Sequence, residues 1–268
     1  MKIRPLGIYA VVYLAFLYVP VLFLPIFSFN DSAIVAFPLK GVTTEWYGQL
    51  WNNDAMHGAL WNSLKVGIAS AVISTLLGIC GARALTRYAF RGKRGMTALI
   101  MLPLVLPEII VAVSLLVVLL QLGFSLSLVS VTLGHILMAI PFSIAVLSSS
   151  FEGFDRSLEE ASLDLGEGPA GTFFRVTLPM VAPGILSSLL ITFTISLDEF
   201  IVAFFLTGTE STLPIYIWSQ LRFTAKLPHV LALGSVLLLA SFILLSVAEV
   251  LRQRAAKRAG TGVTGGFL

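Results

Sequence analysis

Hydrophobic residues in this chain come in long, nearly unbroken runs, not in the i, i+3, i+4 stripe of a helix with one wet face. Six runs reach the ~20 residues that a helix needs to cross the hydrocarbon of a bilayer. They fall at about 7–29, 61–85, 97–121, 128–150, 180–206 and 230–251. The pattern predicts an all-α chain: a polytopic bundle of six membrane-spanning helices forming a single domain over residues 1–268. Lys2 and Arg4 before the first run imitate a signal peptide, but the run is too long and lacks a small-residue cleavage site, so a retained span is expected.

The polar stretches between the runs are unequal. The segment at about 152–179 reads as folded. Ser157 and Glu160 have capping-box spacing, which predicts a short helix. Gly166 and Gly168 stop it, and Pro169 suits the first position of a second short helix. Phe173, Phe174 and Val176 then lead through Leu178 and Pro179 into the next span. A helix-turn-helix held between two spans is a rigid lever. In the loop at 30–60, Trp46, Tyr47, Leu50 and Trp51 share one side of a short helix, fit for an aromatic belt at the headgroups or for receiving a cation. An amphipathic piece is expected at Leu213–Phe223, and a disordered tail at about 255–268.

Composition excludes a soluble domain, because 57% of residues are hydrophobic and only 12% charged. The net charge of +3 invites a nucleic-acid reading, but the basic residues sit at span ends and not on one face, so no nucleic acid is expected. Placing the N-terminus inside puts thirteen of the 17 Lys and Arg residues on the cytoplasmic side and four outside. The positive-inside rule therefore predicts both termini, and the 152–179 loop, in the cytoplasm. Cys80 stands alone, and His57, His135 and His229 are scattered without metal-ligand spacing, so no disulfide and no metal site is expected. His135 reads as a hydrogen-bonded packing residue. Gly166–Phe173 has two glycines at phosphate-loop separation, but Thr172 stands where the lysine must follow, so this chain should hold no ATP.

The informative residues are acids inside the runs. A carboxylate in hydrocarbon is costly and normally faces a bundle interior or a water-filled path. Glu108 follows Pro107 about midway along the third run, near the midplane at helical rise, and Pro103 and Pro107 break backbone hydrogen bonds there, which is tolerated where backbone lines a cavity. Asp198 and Glu199 lie toward the outer end of the fifth. With no basic residue in those two runs, the three suggest a route for a cation; the alternative is protonated or partner-paired acids that serve assembly.

The loop also resembles the cytoplasmic signature of bacterial ABC importer permeases: Glu-Ala-Ala, three residues, Gly, nine residues, then Ile-x-Leu-Pro. Glu160, Ala161, Ser162, Gly166, Val176, Leu178 and Pro179 occupy those places, with Ser162 for the second alanine and Val176 for isoleucine. The resemblance extends over nearly the whole chain. It is closest in character to the second permease of spermidine/putrescine transporters, through Trp46, Pro107-Glu108 and Ser196-Leu197-Asp198-Glu199-Phe200. It implies a type I ABC importer permease fold in the bacterial inner membrane. The implied partners are a second homologous permease, two ATPase subunits that bind ATP and Mg, and a solute-binding protein. It further implies polyamine passage along Glu108, Asp198, Glu199, Ser196 and Trp46, and coupling to the ATPases through Glu160, Ala161, Gly166, Leu178 and Pro179. Related permeases carry opines, aminoethylphosphonate or thiamine. A proton-driven transporter using Glu108 as relay would ignore ATP, and a non-transporting scaffold would tolerate leucine at Glu108 and Asp198.

Overall fold

A computed structural model describes residues 5–258 and is helical almost throughout. In chain order the helices are α1 (Pro5–Ser28), α2 (Glu45–Trp51), α3 (Asp54–Arg87), α4 (Lys93–Val105), α5 (Glu108–Gln121), α6 (Leu128–Glu152), α7 (Ser157–Asp164) and α8 (Pro169–Thr172). A π-helical turn at Phe173–Thr177 leads to α9 (Leu178–Met180), α10 (Ala182–Asp198), α11 (Ile201–Leu206), α12 (Leu213–Leu221) and, after a 3-10 turn, α13 (Leu227–Arg258). The only extended pairing among the described residues is a single bridge between Asn30 and Val42. α13 continues four residues past the expected start of the disordered tail; residues 259–268, and Lys2 and Arg4, lie outside the described residues.

Among the described residues, four helices are long and apolar enough to cross a membrane on their own, and two bent pairs bring the number to at most six. The third span expected over 97–121 is not one straight helix: α4 and α5 meet at 107°. The cause is local. Leu106 is extended (φ −80°, ψ 144°) because it precedes Pro107, whose ring excludes the helical conformation there and which has no N–H to donate. The span expected over 180–206 is also broken. The stretch Pro169–Met180 bends by 67° into α10, and α10 stops at Asp198, with Glu199 extended (φ −71°, ψ 108°) before α11. No proline or glycine marks that second break. The Glu199 carboxylate stabilises it by accepting from the Val202 backbone N–H at 3.0 Å, which caps the new helix.

The chain forms two compact units, one drawn from Met1–Asn53 and Ile217–Leu268, the other from Asp54–Tyr216. In the first, α1 and α2 pack on α13. Tyr47 Oη and Ser28 Oγ lie 2.6 Å apart, and the Trp46 indole N–H donates to the Asn30 carbonyl at 3.0 Å, so the short helix predicted around Trp46 fastens the preceding loop.

The second unit is built on α3, α6 and α10. Their facing residues are small. A Cβ on Gly78 of α3 would overlap Ser143 Oγ of α6, and one on Gly184 of α10 would overlap Ser150 Oγ of α6. Close approach lets short polar side chains bond across the seam: Ser188 of α10 lies 3.0 Å from Thr75 Oγ1 of α3 and 2.8 Å from Ser143 Oγ of α6. Without water to drive burial, such backbone proximity and interhelical bonds are what hold helices together in lipid. Beside the seam, Val66, Ala112, Val131, Met138, Val202 and Leu206 bury α5 and α11 against α3 and α6. The far end of α3 is tied as well. Asn62 donates to the Ser211 carbonyl at 3.1 Å, and Ser63 Oγ accepts from the Leu213 N–H at 2.8 Å.

Packing should outweigh the seam's hydrogen bonds. Ser188→Ala removes bonds worth on average about 0.6 kcal/mol each in membrane proteins, whereas Gly78→Leu forces two helices apart at about 1–3 kcal/mol or more. Gly58, with open space around its Cα, tolerates alanine. Unfolding temperatures in detergent should therefore fall in the order Gly58→Ala, Ser188→Ala, Gly78→Leu. Equal values for the first and last would contradict the close contact.

Candidate functional site

Two of the helix breaks in the second unit carry carboxylates. Glu108, about midway along the third run, is the first residue of α5 and sits at the positive end of that helix's dipole. Glu199 occupies the second break, and α11 packs on α5, bringing Glu108 and Glu199 within electrostatic reach of each other. Asp198 is the last residue of α10 and is exposed. An acid there opposes the helix dipole, which favours cations at a C-terminus, so its placement does nothing for stability. Neither Glu108 nor Asp198 has a hydrogen bond or ion pair among the described residues.

Ser196 faces the other way. It is 5% exposed, and its Oγ lies 2.6 Å from Nδ1 of buried His135, joining α10 to α6 two residues before Asp198. His135 is thus the hydrogen-bonded packing residue expected. Trp46 belongs to the first unit, where its ring meets His229 edge-on at 5.3 Å between centroids.

At the other end of the seam the polar loop folds as two short helices around a turn. Ser157 is not the cap expected of it. It is already helical, and its backbone N–H donates to Asp155 Oδ1 at 2.9 Å, which holds the Asp155 carboxyl below its ordinary range. Gly166 has φ +90° and closes α7 with two return bonds, Gly166 N–H to the Leu163 carbonyl and Glu167 N–H to that of Ser162. This is a Schellman turn, which places its left-handed residue where glycine costs least. Pro169 opens α8 as its spacing indicated.

Glu160 and Ala161 point outward; Glu160 pairs only with Arg156 at 3.1 Å, both largely exposed. Leu178 is half-buried and Pro179 exposed where the loop enters α10. The residue that motif matching missed is Glu159. One carboxylate oxygen accepts from Thr177 Oγ1 at 2.6 Å and the other lies 3.4 Å from Arg87 Nε, with both charged side chains about 15% exposed. Arg87 Nη2 also donates to the Phe154 carbonyl at 3.2 Å. One turn earlier on α3, the Arg83 guanidinium lies 4.2 Å over the Phe173 ring. A cleft of about 190 Å³ opens here, with Arg83, Arg87 and Tyr88 on one wall and Glu159, Glu160 and Leu163 on the other.

The fold is that of a transport protein of the ABC type. The crystal structure of a bacterial ABC transporter involved in importing the acidic polysaccharide alginate matches 94% of this chain and 97% of its own with a TM-score of 0.69, at 17% identity. Residues 74–257 match the family described as binding-protein-dependent transport system inner membrane component, and the chain belongs to that family of ABC importer permeases. The putrescine transport system permease protein PotI of Escherichia coli K12 is 37% identical over 251 residues, covering 91% of this chain and 89% of PotI. The spermidine/putrescine transport system permease protein PotC of the same strain is 34% identical over 240 residues, covering 89% and 90%. In this family the ATPase is a separate subunit, and a partner permease and a binding protein complete the importer.

Removing Glu159 and Glu160 should have unequal effects. An exposed helix pair contributes at most about 0.5 kcal/mol, while removing Glu159 leaves the largely buried Arg87 without its partner at about 1–3 kcal/mol. Glu159→Ala should lower the unfolding temperature in detergent distinctly more than Glu160→Ala; the reverse order would contradict the buried clamp.

Proposed function

We propose that this chain forms half of the pathway of an ATP-driven importer for a small polyamine cation such as putrescine or spermidine. The observation that carries the reading is the placing of Glu108, Asp198 and Glu199 at two helix breaks of one unit, with no basic partner among the described residues. Irregular backbone at membrane depth is tolerated where it lines a cavity, and unpaired acids there favour a cation. The names of PotI and PotC favour a polyamine over an opine, a phosphonate or thiamine. The three carboxylates divide the work. Glu199 is partly committed to capping α11, so Asp198 and Glu108 provide the freer charge for successive ammonium groups.

The N-terminus lies in the cytoplasm. α3's basic end and the α7 loop then share the cytoplasmic side, in agreement with their contact through Arg87. Two ATPase subunits bind below, on the outer face of α7 where Leu158, Ala161 and Leu165 are exposed at helical spacing. A homologous permease completes the pathway, and a binding protein delivers the cargo from outside. Closure of the ATPases on ATP moves α7 and opens the spans outward; hydrolysis resets them.

The test is uptake of radiolabelled putrescine and spermidine into proteoliposomes holding the whole complex, with and without internal ATP. Asp198→Asn should reduce ATP-dependent uptake at least about tenfold, the scale of losing one charge-assisted contact, while Glu199→Gln, which can still accept from Val202, should lose less. Undiminished uptake in Asp198→Asn would remove the acidic route. Binding-protein-stimulated ATPase activity without uptake of either polyamine would remove the cargo.

A further inference from the structure

α6 runs directly into the coupling loop and α10 runs directly out of it, so both feel its movement through the chain. α3, the third helix of the seam, has no such link: its own chain continues into α4. Among the described residues, α3 meets the ends of the loop in an apolar cluster, where Ala82 and Ile79 pack with Phe154, Val176 and Val181, and it reaches further into the loop through Arg87, which contacts Glu159 of α7 and the Phe154 carbonyl, and through Arg83 against Phe173. Thr177, at the end of the π-helical turn, closes the group by donating to the same Glu159 carboxylate. One side chain therefore gathers α3, α7 and the entrance to α10.

We infer that Glu159, held by Arg87 and Thr177, is the positioning residue that makes α3 move with the coupling loop and so links ATP hydrolysis to the spans. The inference rests on the reading of α7 as the ATPase-facing helix. α3 has 34 residues and is tied at its other end to Ser211 and Leu213, so it works as a rod through the whole unit. The contact is well made for this. It spans a cleft between α3 and α7, so the ion pair is what bridges these two helices there. Its charges are largely shielded from solvent, which keeps the attraction strong, and Arg87 is pinned by a second bond to Phe154. With the link cut, the ATPases still dock on the outer face of α7 and still hydrolyse ATP, but α7 moves without its direct hold on α3.

The experiment uses the complete complex in proteoliposomes and reads two quantities. One is putrescine moved per ATP hydrolysed; the other, which needs no cargo, is the stimulation of ATPase activity by the binding protein. Glu159→Gln and Arg87→Gln should each lower the transport ratio about tenfold and bring stimulation toward one, with ATPase subunits still co-purifying. Because the two residues act as one link, the double variant should be no worse than the poorer single. Thr177→Ser keeps the hydroxyl and should keep coupling, whereas Thr177→Val should lose part of it. Unchanged coupling in both singles, or a double variant whose loss is the product of the two, would overturn the link. ATP-independent uptake by the wild type would overturn the importer reading together with it, whereas intact coupling in the singles beside ATP-dependent wild-type uptake overturns the link alone.

Discussion

Everything placed in the larger unit depends on how closely α3, α6 and α10 approach. In lipid the hydrophobic effect gives helices no reason to prefer one another over acyl chains, so contact must come from shape and from polar groups that have no better partner. Gly78 and Gly184 provide the shape by leaving room for Ser143 and Ser150, and Ser188 provides the polar link by bonding to both neighbours. The seam ends at His135 and Ser196 on one side and at the coupling loop on the other. Acids and loop are thus two ends of one packed body.

That body explains how costly groups are tolerated. Three carboxylates at helix breaks are unfavourable in hydrocarbon unless something compensates. Glu108 gains from the dipole of α5 and Glu199 from the backbone of α11; Asp198 gains from neither. A residue placed against its own stability fits the proposed passage of a polyamine, which would bring the missing charge. At the loop end the same logic runs in reverse. Glu160, which the family motif singles out, is solvated and free to meet a partner, while Glu159 beside it is spent inside the chain.

Much of this was legible in the sequence, for physical reasons that differ by element. Long apolar runs reported the spans because lipid demands them, and Pro103 and Pro107 warned of a disturbed helix without revealing a 107° turn. The break after Asp198 left no such mark, since it is held by a side-chain cap and not by proline or glycine. The capping-box spacing at Ser157 misled because Asp155, two residues earlier, takes the backbone N–H first. Gly166 was recognisable from its place in the motif, and the structure supplies the reason, a left-handed turn. Glu159 was invisible because its partner Arg87 is remote in sequence, and no local pattern announces a pairing of that kind.

The central claim is that the loop, the seam and the acidic break move as one body. Spin labels at Leu163 on α7 and Phe204 on α11, both exposed and within this unit, test it directly once Cys80 is replaced by serine. Electron–electron distances would be measured in the assembled complex without nucleotide and with ATP trapped. The account predicts a change within about 2 Å, the scale of small helix adjustments. A shift of about 5 Å or more, a full helical turn, with the loop sliding past the seam, would contradict it.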